Sequence, residues 1–147
     1  MSDTKITNFR ELDAWQVAMD LAVAGHRIAG LLPSIHRFEL GSQIRKAATS
    51  VPSNIAEGHA NHGGRIFLRQ IRIALGSLAE LETHVELASR LTSITEHDVA
   101  NLAAELARTG QLLHGLERAL KRRLYKSSLT CVAVSVTSVA LWLTLMA

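Results

Sequence analysis

The sequence predicts an all-α protein: an antiparallel up-down four-helix bundle with a proline-kinked second helix, followed by an apolar C-terminal tail. Three observations carry this. Apolar residues recur at alternating spacings of three and four along four long segments, the period of one helix face. No segment before Ser127 alternates with period two over a useful length, so no sheet is expected. The breaks between segments are short, as between neighbouring helices of a bundle.

Helix one is expected from about Leu12 to Leu32, closed by Pro33. It carries two apolar stripes: Val17, Leu21, Ala24, Ile28 and Leu31 form one, and Leu12, Trp15, Met19 and Ala22 the other. A helix apolar on two sides is usually covered on two sides. Helix two starts at Leu40 and ends near Gly58, with Ile44, Ala47, Val51 and Ile55 continuing its stripe past Pro52. An interior proline removes one hydrogen bond and presses on the carbonyl four residues back, at about 3 kcal/mol. That residue is Ala48, among small side chains, so one kinked helix is expected rather than two short ones. Helix three follows Gly63-Gly64 with Phe67, Ile71, Ala74, Leu78, Leu81, Val85 and Ala88 on its seam. Helix four opens at Thr95-x-x-Asp98, a capping-box-like start. Its seam is Val99, Leu102, Leu106, Thr109, Leu113, Leu116 and Leu120.

Length bounds the rest. A chain of 147 residues suits one domain with a real core. The reading divides it into residues 1–126, the bundle, and residues 127–147, an uncharged tail. The single cysteine, Cys131, excludes an intramolecular disulfide and fits a reducing, cytoplasmic setting. The N-terminus MSDTKITNFRELD lacks the apolar region of a secretory signal. Sixteen Lys and Arg against thirteen Asp and Glu make a mildly basic chain, which permits a polyanionic partner without requiring one.

Three motifs then carry a resemblance. They are Phe9-x-x-Leu12-x-x-Trp15, the run Ser50–Gly58 (SVPSNIAEG), and Ala74–Leu81 (ALGSLAEL). Together, over about Asn8 to Lys121, the chain resembles the small four-helix-bundle proteins encoded in 23S rRNA intervening sequences. The accessory variability proteins of diversity-generating retroelements are similar relatives. The resemblance implies an antiparallel four-helix bundle that often assembles as a homopentamer. The retroelement relatives bind nucleic acid and a reverse transcriptase, so RNA or DNA and a reverse transcriptase are the partners the resemblance suggests; it implies no catalytic residues, and no cofactor is expected.

The residues themselves agree that no enzyme is expected. No Gly-x-Ser-x-Gly elbow appears, and the glycines at 58, 63 and 64 lack a phosphate-loop pattern. His59 and His62 in HANHGG could hold two metal positions, but only Glu57 stands near them, so a solvated loop is the default and no metal is expected. His26, on the Trp15/Met19 stripe, is expected as a core or interface histidine; His84, His97 and His114 show no partner spacing. Asn54 and Glu57 share a helix face and are expected to order the following turn.

The functional signal is basic. Arg65, Arg69 and Arg72 form one stripe on helix three opposite its apolar seam, and Arg45 and Lys46 lie on helix two. Repeated around a ring, the stripe would engage phosphates; its plain alternative is a solvated face on a self-assembling module with no nucleic-acid role. Aromatic interleaving is lacking, so binding through backbone charge and shape is expected. Arg118, Lys121, Arg122, Arg123 and Lys126 close helix four, where cations complement the helix dipole. They also precede Leu129–Ala147, an uncharged stretch within the roughly 17–25 residues that span a bilayer. A membrane-spanning tail entered from the cytoplasmic side is therefore one expectation; a disordered apolar extension is the other.

Overall fold

The structure, a computed structural model, describes residues 7–92 and 94–145, with side chains to Ser128 apart from Glu96. Among the described residues every regular element is helical and no strand occurs. A 3-10 turn, Phe9–Glu11, leads into α1 (Asp13–Leu31), which is followed by α2 (Ser34–Arg37), α3 (Leu40–Ala60), α4 (Gly64–Leu91) and α5 (Glu96–Leu145). The short α2 has no counterpart in the periodicity, because about one turn of helix cannot display a repeat. The long helices pack in a cycle: α1 on α3, α3 on α4, α4 on α5, and α5 on α1.

The expected seams fill the core. Leu40, Ile44, Ala47, Val51 and Ile55 of α3 are buried, as are Ile71, Ala74, Leu78, Leu81, Val85 and Ala88 of α4. On α5, Leu102, Leu106, Thr109, Leu113 and Leu120 are buried while Val99 and Leu116 are half-buried. Thr109 is tolerated there because its hydroxyl donates to the Glu105 carbonyl at 2.7 Å. At the start of α5, the Asp98 amide donates to Thr95 Oγ1 at 3.2 Å, as a capping threonine requires. The shorter Asp98 carboxylate meets the Thr95 hydroxyl rather than the backbone amide of a full capping box.

Helix α1 departs from expectation. Leu31 is 56% exposed, because the helix ends there and Leu32 takes the buried place. In the second stripe Leu12 and Ala22 are buried and Trp15 half-buried, which leaves Met19 at 39% exposure. The chain covers much of that stripe itself. Phe9 meets Trp15 edge-on with ring centroids 5.2 Å apart, and the Arg10 guanidinium lies 4.6 Å above the Phe9 ring. This is the work of the first motif: Phe9, Leu12 and Trp15 plug the start of α1.

Pro52 sits inside α3 without interrupting it. Around it, side chains donate to carbonyls one turn back: Thr49 to Arg45 at 2.8 Å, Ser53 to Thr49 at 2.9 Å and Asn54 to Ser50 at 2.8 Å. Asn54 therefore bonds its own helix, not the following turn as expected. Its amide also reaches Ser50 Oγ at 3.0 Å, and that hydroxyl shares a 2.8 Å hydrogen bond with the buried Ser77 of α4.

Close approaches set the inter-helix spacing. A Cβ on Gly25 would lie 2.8 Å from the Ala48 Cβ, and one on Gly58 would lie 2.7 Å from the Phe67 ring. The α1/α5 contact is different, with a polar-edged groove lined by Asp13, Gln16 and Val17 facing Arg108, Gln111 and Leu112. No helix among the described residues is long and apolar enough to cross a membrane. The anchor expected of Leu129–Ala147 falls on side chains outside the described residues. The α5 backbone itself runs through the composition break at Ser127 as one helix.

Candidate nucleic-acid interface

On α4 the buried seam occupies one side, which turns Arg65, Arg69 and Arg72 to solvent. With Leu68 and Ile73 they line a shallow concave surface. The register with α5 follows from three contacts. A Cβ on Gly64 would lie 3.1 Å from Leu124, Arg72 Nε meets Glu117 Oε1 at 3.1 Å, and a Cβ on Gly110 would lie 3.4 Å from Leu78. Residue numbers fall along one helix as they rise along the other. Arg65 through Arg72 thus run alongside the α5 segment that carries Arg118, Lys121, Arg122 and Arg123. Two helices, not one, build the basic face.

Its electrostatics are uneven. Glu117, a side chain only 14% exposed, accepts from Lys121 Nζ at 2.7 Å and from Arg72 at 3.1 Å, and His114 Nδ1 lies 3.9 Å from its other oxygen. The Lys121 hydrogen bond first, and the Arg72 one second, hold its carboxyl below the ordinary carboxylate value. Two cations therefore share one anion. Arg65 and Arg69 have no ion pair among the described residues and remain free for an external anion.

Arg45 and Lys46 are placed elsewhere. Arg45 Nη1 lies 3.3 Å from the position of a Gly41 Cβ, beside Leu32 and Ala29 of the α1 region. One turn on, Thr49 meets His26 of α1 at 3.2 Å, whereas the α4 side of α3 is marked by Ser50. The Ser50–Ser77 pairing sets Arg45 level with Glu82, about 15 Å of helix rise beyond Arg72. Arg45 and Lys46 do not join the α4/α5 face. Periodicity gave the face of each helix but not which neighbour that face meets, so it set the α5 cations at a helix end and grouped Arg45 and Lys46 with an α4 stripe that they do not adjoin.

The histidines carry less. His59 packs edge-on against Phe67 at 5.9 Å, and His62 takes a left-handed φ of 51° where the α3–α4 turn reverses. The Asn61 side chain caps that turn by donating to the Glu57 carbonyl at 2.8 Å. His26 is exposed in the single chain, so it is not a core histidine. The Thr49 hydroxyl proton goes to the Arg45 carbonyl, so His26 Nε2 is the donor to Thr49. Among the described residues no three His, Cys, Asp or Glu side chains gather around a metal position.

A model of the 23S rRNA-intervening sequence protein family matches residues 10–115. The chain belongs to that family. The family segment takes in α1, α3, α4 and the first part of α5, including the arginine stripe, and stops short of the α5 cations from Arg118 onward. A protein of unknown function from the S23 ribosomal protein family of Bacteroides thetaiotaomicron has a similar solved structure, with a TM-score of 0.65 at 23% identity. That alignment covers 71% of this chain and 97% of the other, a likeness in fold alone. No curated protein matches the chain significantly.

Proposed function

We propose that this protein is a non-enzymatic accessory factor that holds nucleic acid by its phosphates on the α4/α5 basic face and works as an assembly of identical subunits. The observation that carries the reading is the pair Arg65 and Arg69, exposed and unpaired among the described residues, beside a row of α5 cations. Backbone charge of this kind yields binding that is strong at low salt and indifferent to sequence. The resemblance to retroelement accessory proteins supports a reverse transcriptase as a further partner and a pentamer as the assembly. Exposed Leu31, Ile35 and Phe38 around α2 supply apolar surface for subunit contacts.

The scaffold proposed for this face is an antiparallel up-down bundle. Each neighbouring pair of helices shows residue numbers falling on one as they rise on the other, which supports that arrangement: Ala29 with Gly41 and Gly25 with Ala48, Gly58 with Phe67 and Ser50 with Ser77, and Gly64 with Leu124 and Arg72 with Glu117. A bend at Pro52 is supported by the missing proline N–H and by the hydroxyl bonds to carbonyls around it.

Fluorescence anisotropy with a labelled RNA duplex across a salt series tests the reading. Changing Arg65, Arg69 and Arg72 together to Gln should weaken binding and flatten the salt slope by about one unit per lost phosphate contact. Light scattering of the same samples should give a multiple of the monomer mass. Parent-like binding at every salt concentration would overturn the basic-face reading and leave the self-assembling module that the α2 apolar residues favour. A monomer mass would overturn the assembly.

A further inference from the structure

The α5 edge of the basic face ends on an aromatic ring. Glu117, Lys121 and Tyr125 follow one another at steps of four, so they stand in one row. Glu117 reaches across to Arg72, which identifies this row as the edge of α5 turned toward the arginines of α4. Leu124, the residue before Tyr125, lies against Gly64, so Tyr125 stands level with the start of α4, the end that carries Arg65. Arg122 and Arg118 precede it by three and seven residues, on the same outer side of the helix.

Tyr125 is 66% exposed, and among the described residues its ring makes no ring contact. It therefore offers a π-face to solvent at the edge of a cationic surface. A base inside a duplex has both faces occupied by its neighbours, whereas an unpaired base can stack on such a ring while its phosphates meet the flanking cations. Aromatic platform and charged track together are what a single strand recognises, and backbone charge alone is what a duplex recognises.

We propose that Tyr125 is a stacking platform for an unpaired base, and that the preferred ligand is a single-stranded stretch of nucleic acid whose phosphates lie on Arg65, Arg69 and Arg122. The inference rests on the nucleic-acid reading above and narrows it to a strand class. It also replaces the expectation that no aromatic is interleaved with the cations: the sequence places Tyr125 after helix four's core seam, and only the α4/α5 register brings it level with the end of α4 that carries Arg65.

The full chain is titrated with two labelled probes, a twelve-nucleotide oligouridine and a mixed-sequence RNA duplex of equal length, and compared with Tyr125→Leu and Tyr125→Phe. Tyr125→Leu should weaken oligouridine binding roughly tenfold to a hundredfold while duplex affinity stays within about twofold. Tyr125→Phe, which keeps the ring, should bind both probes like the parent. If Tyr125→Leu leaves oligouridine binding unchanged, or weakens both probes alike, the stacking role is overturned while the basic face stands. If the parent binds neither probe, the nucleic-acid reading falls and the platform falls with it.

Discussion

Glu117 is the residue at which the basic face is restrained. Its carboxyl is held below the ordinary value of 4.5 by Lys121 and then by Arg72. A depressed carboxylate contributes stability that is present above its unfolded pKa and lost as pH falls through its folded one. The stability contributed by Glu117 should therefore be constant from neutrality down to about 4.5 and fall below it. Glu117→Gln should remove part of that acid decline. The thermal effect is small, since both cationic partners of Glu117 lie largely in solvent, where ion pairs contribute little. The same substitution acts more strongly on binding, because it releases Arg72 and Lys121 from their shared partner. Anisotropy titrations should show Glu117→Gln holding RNA more tightly than the parent, with a steeper salt slope. Weaker binding would mean that Glu117 orients Arg72 rather than masking it.

Among the elements, the α3–α4 hairpin shows most plainly why particular residues stand where they do. Gly58 closes the SVPSNIAEG run because α4 leaves no room for a side chain. A Cβ would lie 2.7 Å from the Phe67 ring, 2.8 Å from Gln70 Cβ and 3.3 Å from Phe67 Cα, the last of which is backbone and cannot swing aside. Gly58→Ala should cost about 1–3 kcal/mol through overpacking, after roughly 1 kcal/mol returned by alanine's helix propensity. Gly76, on the exposed side of α4, has nothing within 4 Å of its Cβ position. Gly76→Ala should therefore stabilise the protein by up to about 1 kcal/mol. Urea unfolding of the two variants checks both signs, and a stable Gly58→Ala would mean that the hairpin is looser than these distances. The apolar seams of α3, α4 and α5 were legible in the sequence because a 3.6-residue repeat records which side of a helix is covered. The cover on α1 was not, because Phe9 lies outside the helix and only the turn before Asp13 folds it onto Trp15.

For the whole molecule, what the sequence withheld was adjacency. Arg65, Arg69 and Arg72 were identifiable as a stripe, but Lys121 and Tyr125 join them only because Gly64 meets Leu124, a pairing that no local pattern encodes. Adjacency also separates the molecule's joints. The α3–α4 contact closes through a turn of a few residues, between Ala60 and Gly64. The α1/α5 groove joins Asp13 to the neighbourhood of Arg108, across most of the chain, and is edged by polar side chains. A long loop carries the larger closure entropy, and polar edges return less for closing it. The first and last helices are accordingly the latch of the molecule: last to zip during folding, first to breathe in the native state. Native-state hydrogen exchange should find α1 amides released by a lower-energy opening than the α3 and α4 amides. Uniform protection across the three helices would mean that the bundle opens only as a unit.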